Sequence, residues 1–178
     1  MNEPLAIYSF RRSVLEQNRS YSIYPDRLVI EGADIAPQTY LLSDVQSVQL
    51  KYEHTKQREY YQCYIRMKGG RIVLRHVDWS GFGAFTDLRA SYTPFVKALL
   101  AQLARYPGVK YRAGSMVNFG CAIAGIPLLG VLSYLAVQIG HIGTAVFGAL
   151  MMGLCAIMIG PSRPRPLDPL APPDALLP

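Results

Sequence analysis

The chain has 178 residues, 51% hydrophobic and only 17% charged, with 18 Lys and Arg against 12 Asp and Glu for a net charge of +6. This length holds one ordinary domain with appendages, or two very small domains. The composition excludes a disordered chain, a collagen-like chain and a disulfide scaffold, and its charge content lies below the roughly 25% of soluble domains.

The first 112 residues read as short strands followed by one helix. Tyr21-Ser-Ile-Tyr24 and Arg27-Leu-Val-Ile30 flank Pro25-Asp26. Proline suits the first central position of a type I turn and Asp bonds the turn backbone, so a hairpin is predicted. Residues 39–42 and 45–52 form the next extended stretch, with Val48 and Leu50 at alternating positions. Over 59–67, Tyr61, Cys63, Ile65 and Met67 occupy one face and Tyr60, Gln62, Tyr64 and Arg66 the other. This period of two with aromatic content is a strand signal. Lys68-Gly69-Gly70 turns the chain into a further strand over 71–77. Asp78-Trp79 followed by Gly81 and Gly83 reads as a flexible exit from that strand. Thr93 as N-cap and Pro94 at the first position then open a helix, in which Phe95, Val96, Leu99, Leu100 and Leu103 form an apolar stripe. Tyr106-Pro107-Gly108 ends it.

The succession Tyr21-x-Ile23-x-x-Asp26-x-Leu28-x-Ile30-Glu31, then Leu42-x-Asp44-Val45-x-Ser47-Val48-x-Leu50, then a hairpin and a capped helix, resembles the bacterial pleckstrin-homology-like (PH-like) domains of small membrane proteins. The resemblance covers about residues 8–106 and rests on pattern, turn and order. It implies an α+β fold: a small, partly open antiparallel barrel of seven strands, capped by the C-terminal helix and paired with helical membrane spans. It carries no catalytic residues. Eukaryotic relatives bind inositol lipids in a basic loop pocket, which the turn Tyr24-Pro-Asp-Arg27 here lacks.

Residues 113–162 contain no Asp, Glu, Lys or Arg, a run of 50 uncharged residues. One crossing of a bilayer needs roughly 20 apolar residues, so the run fits two transmembrane helices, at about 115–138 and 143–160, joined at Gly140-His141-Ile142-Gly143. The N-terminal MNEPLAIYSFRR has no apolar stretch long enough for a signal peptide. Arg105, Lys110 and Arg112 precede the first crossing, Arg163 and Arg165 follow the second, and the loop between has no Lys or Arg. The positive-inside rule therefore places both termini in the cytoplasm of a multi-pass inner-membrane protein, with these five cations at the membrane surface. Gly120 and Ala124 on the first helix, and Ala145, Gly148, Ala149 and Gly153 on the second, are small residues at or beside four-residue spacing. Such residues let helices approach closely in lipid, either the two helices of this hairpin or a partner subunit or second copy.

The tail over 161–178 holds 7 of the 13 prolines and reads as disordered.

Chemical constellations are thin. Cys63, Cys121 and Cys155 are far apart without a C-x-x-C, so neither zinc nor a redox pair is indicated. His54 and His76 lack metal spacing, and Ser80-Gly-Phe-Gly83 is not a nucleophile elbow. No cofactor is expected, and the protein reads as non-enzymatic. Lys51, Lys56 and Arg58 with Tyr52, Tyr60, Tyr61 and Tyr64 combine cations with aromatics, and Arg11, Arg12 and Arg19 form a second basic cluster. Attraction to an anionic leaflet accounts for the first group better than a merely solvated face or nucleic-acid binding does. Two roles follow. In one, the head binds a protein partner or the membrane surface as an accessory subunit of a membrane complex. In the other, the hairpin self-associates as a homo-oligomer and the head recruits a cytosolic partner, as in a membrane-bound regulator or assembly factor.

Overall fold

The computed structural model describes all residues except 1, 2, 12, 14, 55–58, 82, 83 and 178, so the predicted roles of Arg12, Lys56, Arg58 and Gly83 lie outside the described residues. The chain is α+β, with antiparallel sheets and, among the described residues, three α-helices, and forms two compact units. Unit 1 comprises Met1–Arg112 and Pro166–Pro178, and unit 2 comprises Ala113–Arg165.

In unit 1, β1 (Ala6–Phe10), β2 (Arg19–Ile23), β3 (Arg27–Gly32) and β4 (Ile35–Leu41) form a four-stranded meander. The predicted turn joins β2 to β3, where the Tyr24 N–H donates to the Arg27 carbonyl at 2.8 Å around Pro25-Asp26. A single 3-10 turn, Leu42–Asp44, buries Leu42 and leads into β5 (Val45–His54), which pairs with β6 (Glu59–Met67), itself paired with β7 (Gly70–Arg75). A bulge between Val45 and Ser47 inserts one residue. It re-phases the alternation, so Val45 and Val48, three apart, are both buried. On β6 the predicted inward face is the buried one: Tyr61, Cys63, Ile65 and Met67.

The expected barrel does not close among the described residues. The strands fall into three sheets, and β4 and β5 do not pair, because the 3-10 turn redirects the chain between them. The edge strand β1 is followed by a short seal in place of a ladder: the Arg11 N–H donates to Asp78 Oδ1 at 2.5 Å and the Trp79 N–H to the Arg11 carbonyl at 3.4 Å. The region expected to be a flexible exit is a two-stranded hairpin, β8 (Val77–Gly81) and β9 (Ala84–Asp87), with the Trp79 and Phe85 rings edge-on at 4.3 Å.

Helix α1 (Arg89–Leu103) begins four residues before the predicted Thr93 cap. The Asp87 carboxylate accepts from the Arg89 N–H at 2.9 Å, satisfying one of the free donors at the helix start. Pro94 therefore lies inside the helix. The helix buries the predicted stripe, with Tyr92 added, against the inward faces of the sheets: Tyr8 rings meet Tyr92 at 5.9 Å and Phe95 at 5.4 Å.

The tail departs from the disorder expected of it. After β10 (Lys110–Ala113) pairs with β5, β11 (Arg165–Pro166) adds to β10, and the Leu167 N–H donates to the Tyr111 carbonyl at 3.3 Å. Leu167 and Leu177 are buried, and a 3-10 turn at Asp174–Leu176 lies against β5. Proline, which cannot donate, is tolerated on an edge strand, and two leucines supply the apolar anchors.

Unit 2 is a helix hairpin, α2 (Met116–Gln138) and α3 (Ile142–Ser162). α2 stops at Gly140, which adopts the left-handed region (φ 80°). The His141 N–H donates to the Ala136 carbonyl at 2.8 Å and the Gly140 N–H to the Val137 carbonyl at 3.0 Å. This paired closure is the Schellman ending that glycine favours. Among the described residues, Phe119–Gln138 is the one segment long and apolar enough to cross a membrane by length and composition; Ile142–Ile157 is a shorter apolar helix.

Candidate functional site

Unit 2 carries an interface of its own. A Cβ placed on Gly125 would lie 3.3 Å from Cys155 Sγ, one on Gly130 3.6 Å from Met152 Sδ, and one on Gly148 only 2.0 Å from Ser133 Oγ. These contacts set an antiparallel register. The buried and half-buried positions Ala145, Gly148, Met152, Cys155 and Ile159 advance by three and four residues in turn, the spacing of knobs-into-holes packing. Of the small residues singled out in the sequence, Gly148 and Ala145 belong to this face. Gly120, Ala124, Ala149 and Gly153 are exposed, and nothing lies within 4 Å of a Cβ built on Gly120 or Gly153.

Both helices turn large apolar side chains outward. Of 19 exposed large hydrophobic residues among those described, 14 lie on this hairpin or its turn, including Leu128, Tyr134, Phe147, Leu150 and Ile157. Contiguous exposed apolar surface of this kind is characteristic of faces that contact lipid or protein.

The five cations predicted at the membrane surface, Arg105, Lys110, Arg112, Arg163 and Arg165, are all exposed, and none joins an ion pair among the described residues. Lys110 and Arg112 lie on β10, and Arg165 opens β11 beside it. Sequence periodicity had no means to find these strands, since each is too short to show alternation.

The second basic region lies on the outward face of β5–β6–β7. Lys51 Nζ sits 4.4 Å and the Arg71 guanidinium 5.3 Å from the centre of the Tyr64 ring, whose hydroxyl donates to Gln62 Oε1. Of the tyrosines grouped with it in the sequence, Tyr61 is turned inward and Tyr52 bonds Glu59 at 3.2 Å. The other basic cluster is partly neutralised, because Arg19 pairs with Asp34 at 3.4 Å and Glu16 at 3.8 Å.

Inside unit 1, His76 is buried among the rings of Tyr60, Tyr61 and Tyr92. Its Nδ1 accepts from the Tyr61 N–H at 3.0 Å. Burial disfavours the imidazolium and pulls its pKa below the usual 6.5, against the opposing influence of the Tyr61 backbone and Asp87. Burial likewise raises the Tyr92 and Tyr8 hydroxyls and pushes the Cys63 thiol up to about 12. This cluster is a packed core, with the Tyr61 backbone and the His76 ring holding β6 to the start of β8.

The sign of the His76 effect is fixed by this shift. A lowered folded-state value means that the unfolded chain binds the proton more tightly, so stability is full above pH 6.5 and falls as pH drops below it. One such group contributes a slope of at most about 1.4 kcal/mol per pH unit. Urea unfolding at about pH 7.5 and about pH 5.5, roughly one unit either side of the free histidine value, is expected to show this acid loss in the native chain and less of it in His76→Gln. Equal acid loss in both would place the titration elsewhere.

No protein-family model matches the chain, and no curated protein matches it in sequence.

Proposed function

We propose that the chain is a non-enzymatic membrane protein. Its hairpin α2–α3 crosses the inner membrane twice, and its PH-like head, unit 1, binds a protein partner at the cytoplasmic face as an accessory subunit of a membrane complex. The observation that carries this reading is the outward apolar surface of the hairpin, 14 large side chains with no charged residue on either helix. α2 has 23 residues and α3 has 21. At 1.5 Å per residue the shorter is about 31 Å long, against a hydrocarbon core of about 30 Å. In sequence the exposed Arg105, Lys110 and Arg112 precede the hairpin and Arg163 and Arg165 follow it, none of them in an ion pair among the described residues, and the turn at Ile139-Gly140-His141 has no cation, which supports a cytoplasmic head. Strands followed by one helix that buries six side chains support the PH-like assignment.

The test combines alkaline extraction, protease access and capture. The chain is expected to stay with membranes in carbonate, and unit 1 to be digested only in inside-out vesicles. Digestion from outside intact cells, or a chain that stays dissolved without detergent, would overturn the hairpin reading. Capture from detergent extract is expected to bring a different protein in fixed proportion. Recovery of further copies of this chain alone would overturn the accessory-subunit role in favour of a self-associating regulator.

A further inference from the structure

We infer that the outward face of β5–β6–β7 is a docking surface for the phosphate-bearing headgroups of anionic lipids. The inference rests on the hairpin reading above, which keeps unit 1 next to a bilayer.

The geometry begins with strand register. Arg66 and Arg71 are directly opposed across β6 and β7, and Gln62 separates Lys51 from Arg75 in a second cross-strand row. Tyr64 lies between these rows, with Lys51 and Arg71 over its ring from opposite diagonals. Like charges placed directly opposite each other destabilise a sheet. Two arginines held in that relation are repaid when an anion sits between them.

Among the described side chains, no carboxylate supplies that anion. Among the described residues, Lys51, Arg66, Arg71 and Arg75 join no ion pair. Asp44 is taken by Lys68 at 3.1 Å and Glu59 by Arg89 at 3.2 Å, while the tail's Asp168 and Asp174 make no ion pair with this face. Arg66 and Arg71 are exposed, whereas Lys51, Tyr64 and Arg75 are half-buried. The face therefore carries cations on all three strands, with the amphipathic Tyr64 ring in the middle, and this spread fits a plane of headgroups better than a single small ligand. Tyrosine rings favour that depth, with an apolar body and a polar tip. A nucleic-acid strand would need successive stacking platforms, and here the central ring is already covered by two cations.

The test uses the full chain in nanodiscs of phosphatidylcholine, with or without phosphatidylglycerol, and headgroup-nitroxide lipid as quencher. A fluorophore is placed on Val73→Cys, the outward β7 neighbour of Tyr64, with Cys121→Ala and Cys155→Ala; native Cys63 is buried. Quenching is expected to be strong with phosphatidylglycerol, weak without it, and lost at high salt. Arg66→Gln with Arg71→Gln should lower the ratio of docked to undocked head about thirtyfold, each cation near the surface contributing about 1 kcal/mol. The Lys/Lys pair at the same positions should retain docking, which separates charge from folding. Equal quenching in both lipids, no effect of the Gln pair, or quenching relieved by a single-stranded oligonucleotide but not by salt would overturn the surface. Co-elution with lipid reads the hairpin separately. A chain that incorporates yet shows no lipid-dependent quenching overturns this surface alone, and one that fails to incorporate overturns the hairpin and the surface together.

Discussion

Tyr8→Ala is expected to cost unit 1 about 3–5 kcal/mol, the range for removing a large buried aromatic side chain. Tyr8 is 1% exposed and joins three parts of the core. Its ring stacks on Phe10 at 5.5 Å within the first sheet and meets Tyr92 and Phe95 of α1, while its hydroxyl donates to the Arg75 carbonyl at the end of β7. The sheets do not close by backbone pairing, so this side chain substitutes for part of the missing ladder. Tyr8→Phe keeps the ring and orphans the Arg75 carbonyl, for about 1–3 kcal/mol. Against a total of about 5–15 kcal/mol for a typical domain, the Ala change leaves the head marginal. Urea unfolding followed through the lone tryptophan, Trp79, measures both. Ile7→Ala, on the exposed face of the same strand, serves as the reference. If Tyr8→Ala cost no more than Ile7→Ala, the placement of Tyr8 at the junction would be wrong.

The second large effect concerns the hairpin. Gly148→Leu is expected to separate α2 from α3, because its Cβ alone would meet Ser133 Oγ at 2.0 Å and Ser133 Cβ at 3.3 Å, with Leu129 backbone close behind at 3.6 Å. A serine hydroxyl can rotate away, so Gly148→Ala is the milder change. A branched side chain must push the helix itself, and overpacking costs about 1–3 kcal/mol. If the hairpin lies in lipid as proposed, this packing has no hydrophobic effect to fall back on. The readout is a disulfide between Gly125→Cys and native Cys155, whose sulfur lies 3.3 Å from the position of a Cβ at 125. Oxidation is expected to form this bond in the otherwise native chain and to form it several-fold less in the Gly148→Leu background. Gly153→Leu, at a position with open space, should leave it intact. Equal loss from both leucines would mean that the helices use the other face.

What was legible in the amino-acid sequence had one physical basis: residues sorted between solvent and an apolar phase at a regular period. Tyr61, Cys63, Ile65 and Met67 were readable because a half-buried strand alternates, and Phe95, Val96, Leu99, Leu100 and Leu103 because a surface helix repeats every 3.6 residues. The long apolar run was readable because fifty positions without an ionic side chain is a compositional fact requiring no partner. The surface cations could be named, but their settings could not: Lys110, Arg112 and Arg165 lie on strands of four and two residues.

Tertiary structure decided everything that depends on a partner distant in the chain. β1 is a strand because residues 19–23 lie beside it, and the tail is ordered because Tyr111 and β5 receive it. α1 starts at Arg89 and not at Thr93, where Asp87, delivered by β9, accepts from the Arg89 N–H. Small residues on α2 and α3 offered two faces of similar composition, and only the register of one helix on the other selected Gly148 and released Gly153. The opposition of Arg66 and Arg71 follows in the same way: local sequence states that both are cations and puts Arg66 on the face opposite Tyr61, Cys63, Ile65 and Met67, and the pairing of β6 with β7 makes Arg71 its neighbour.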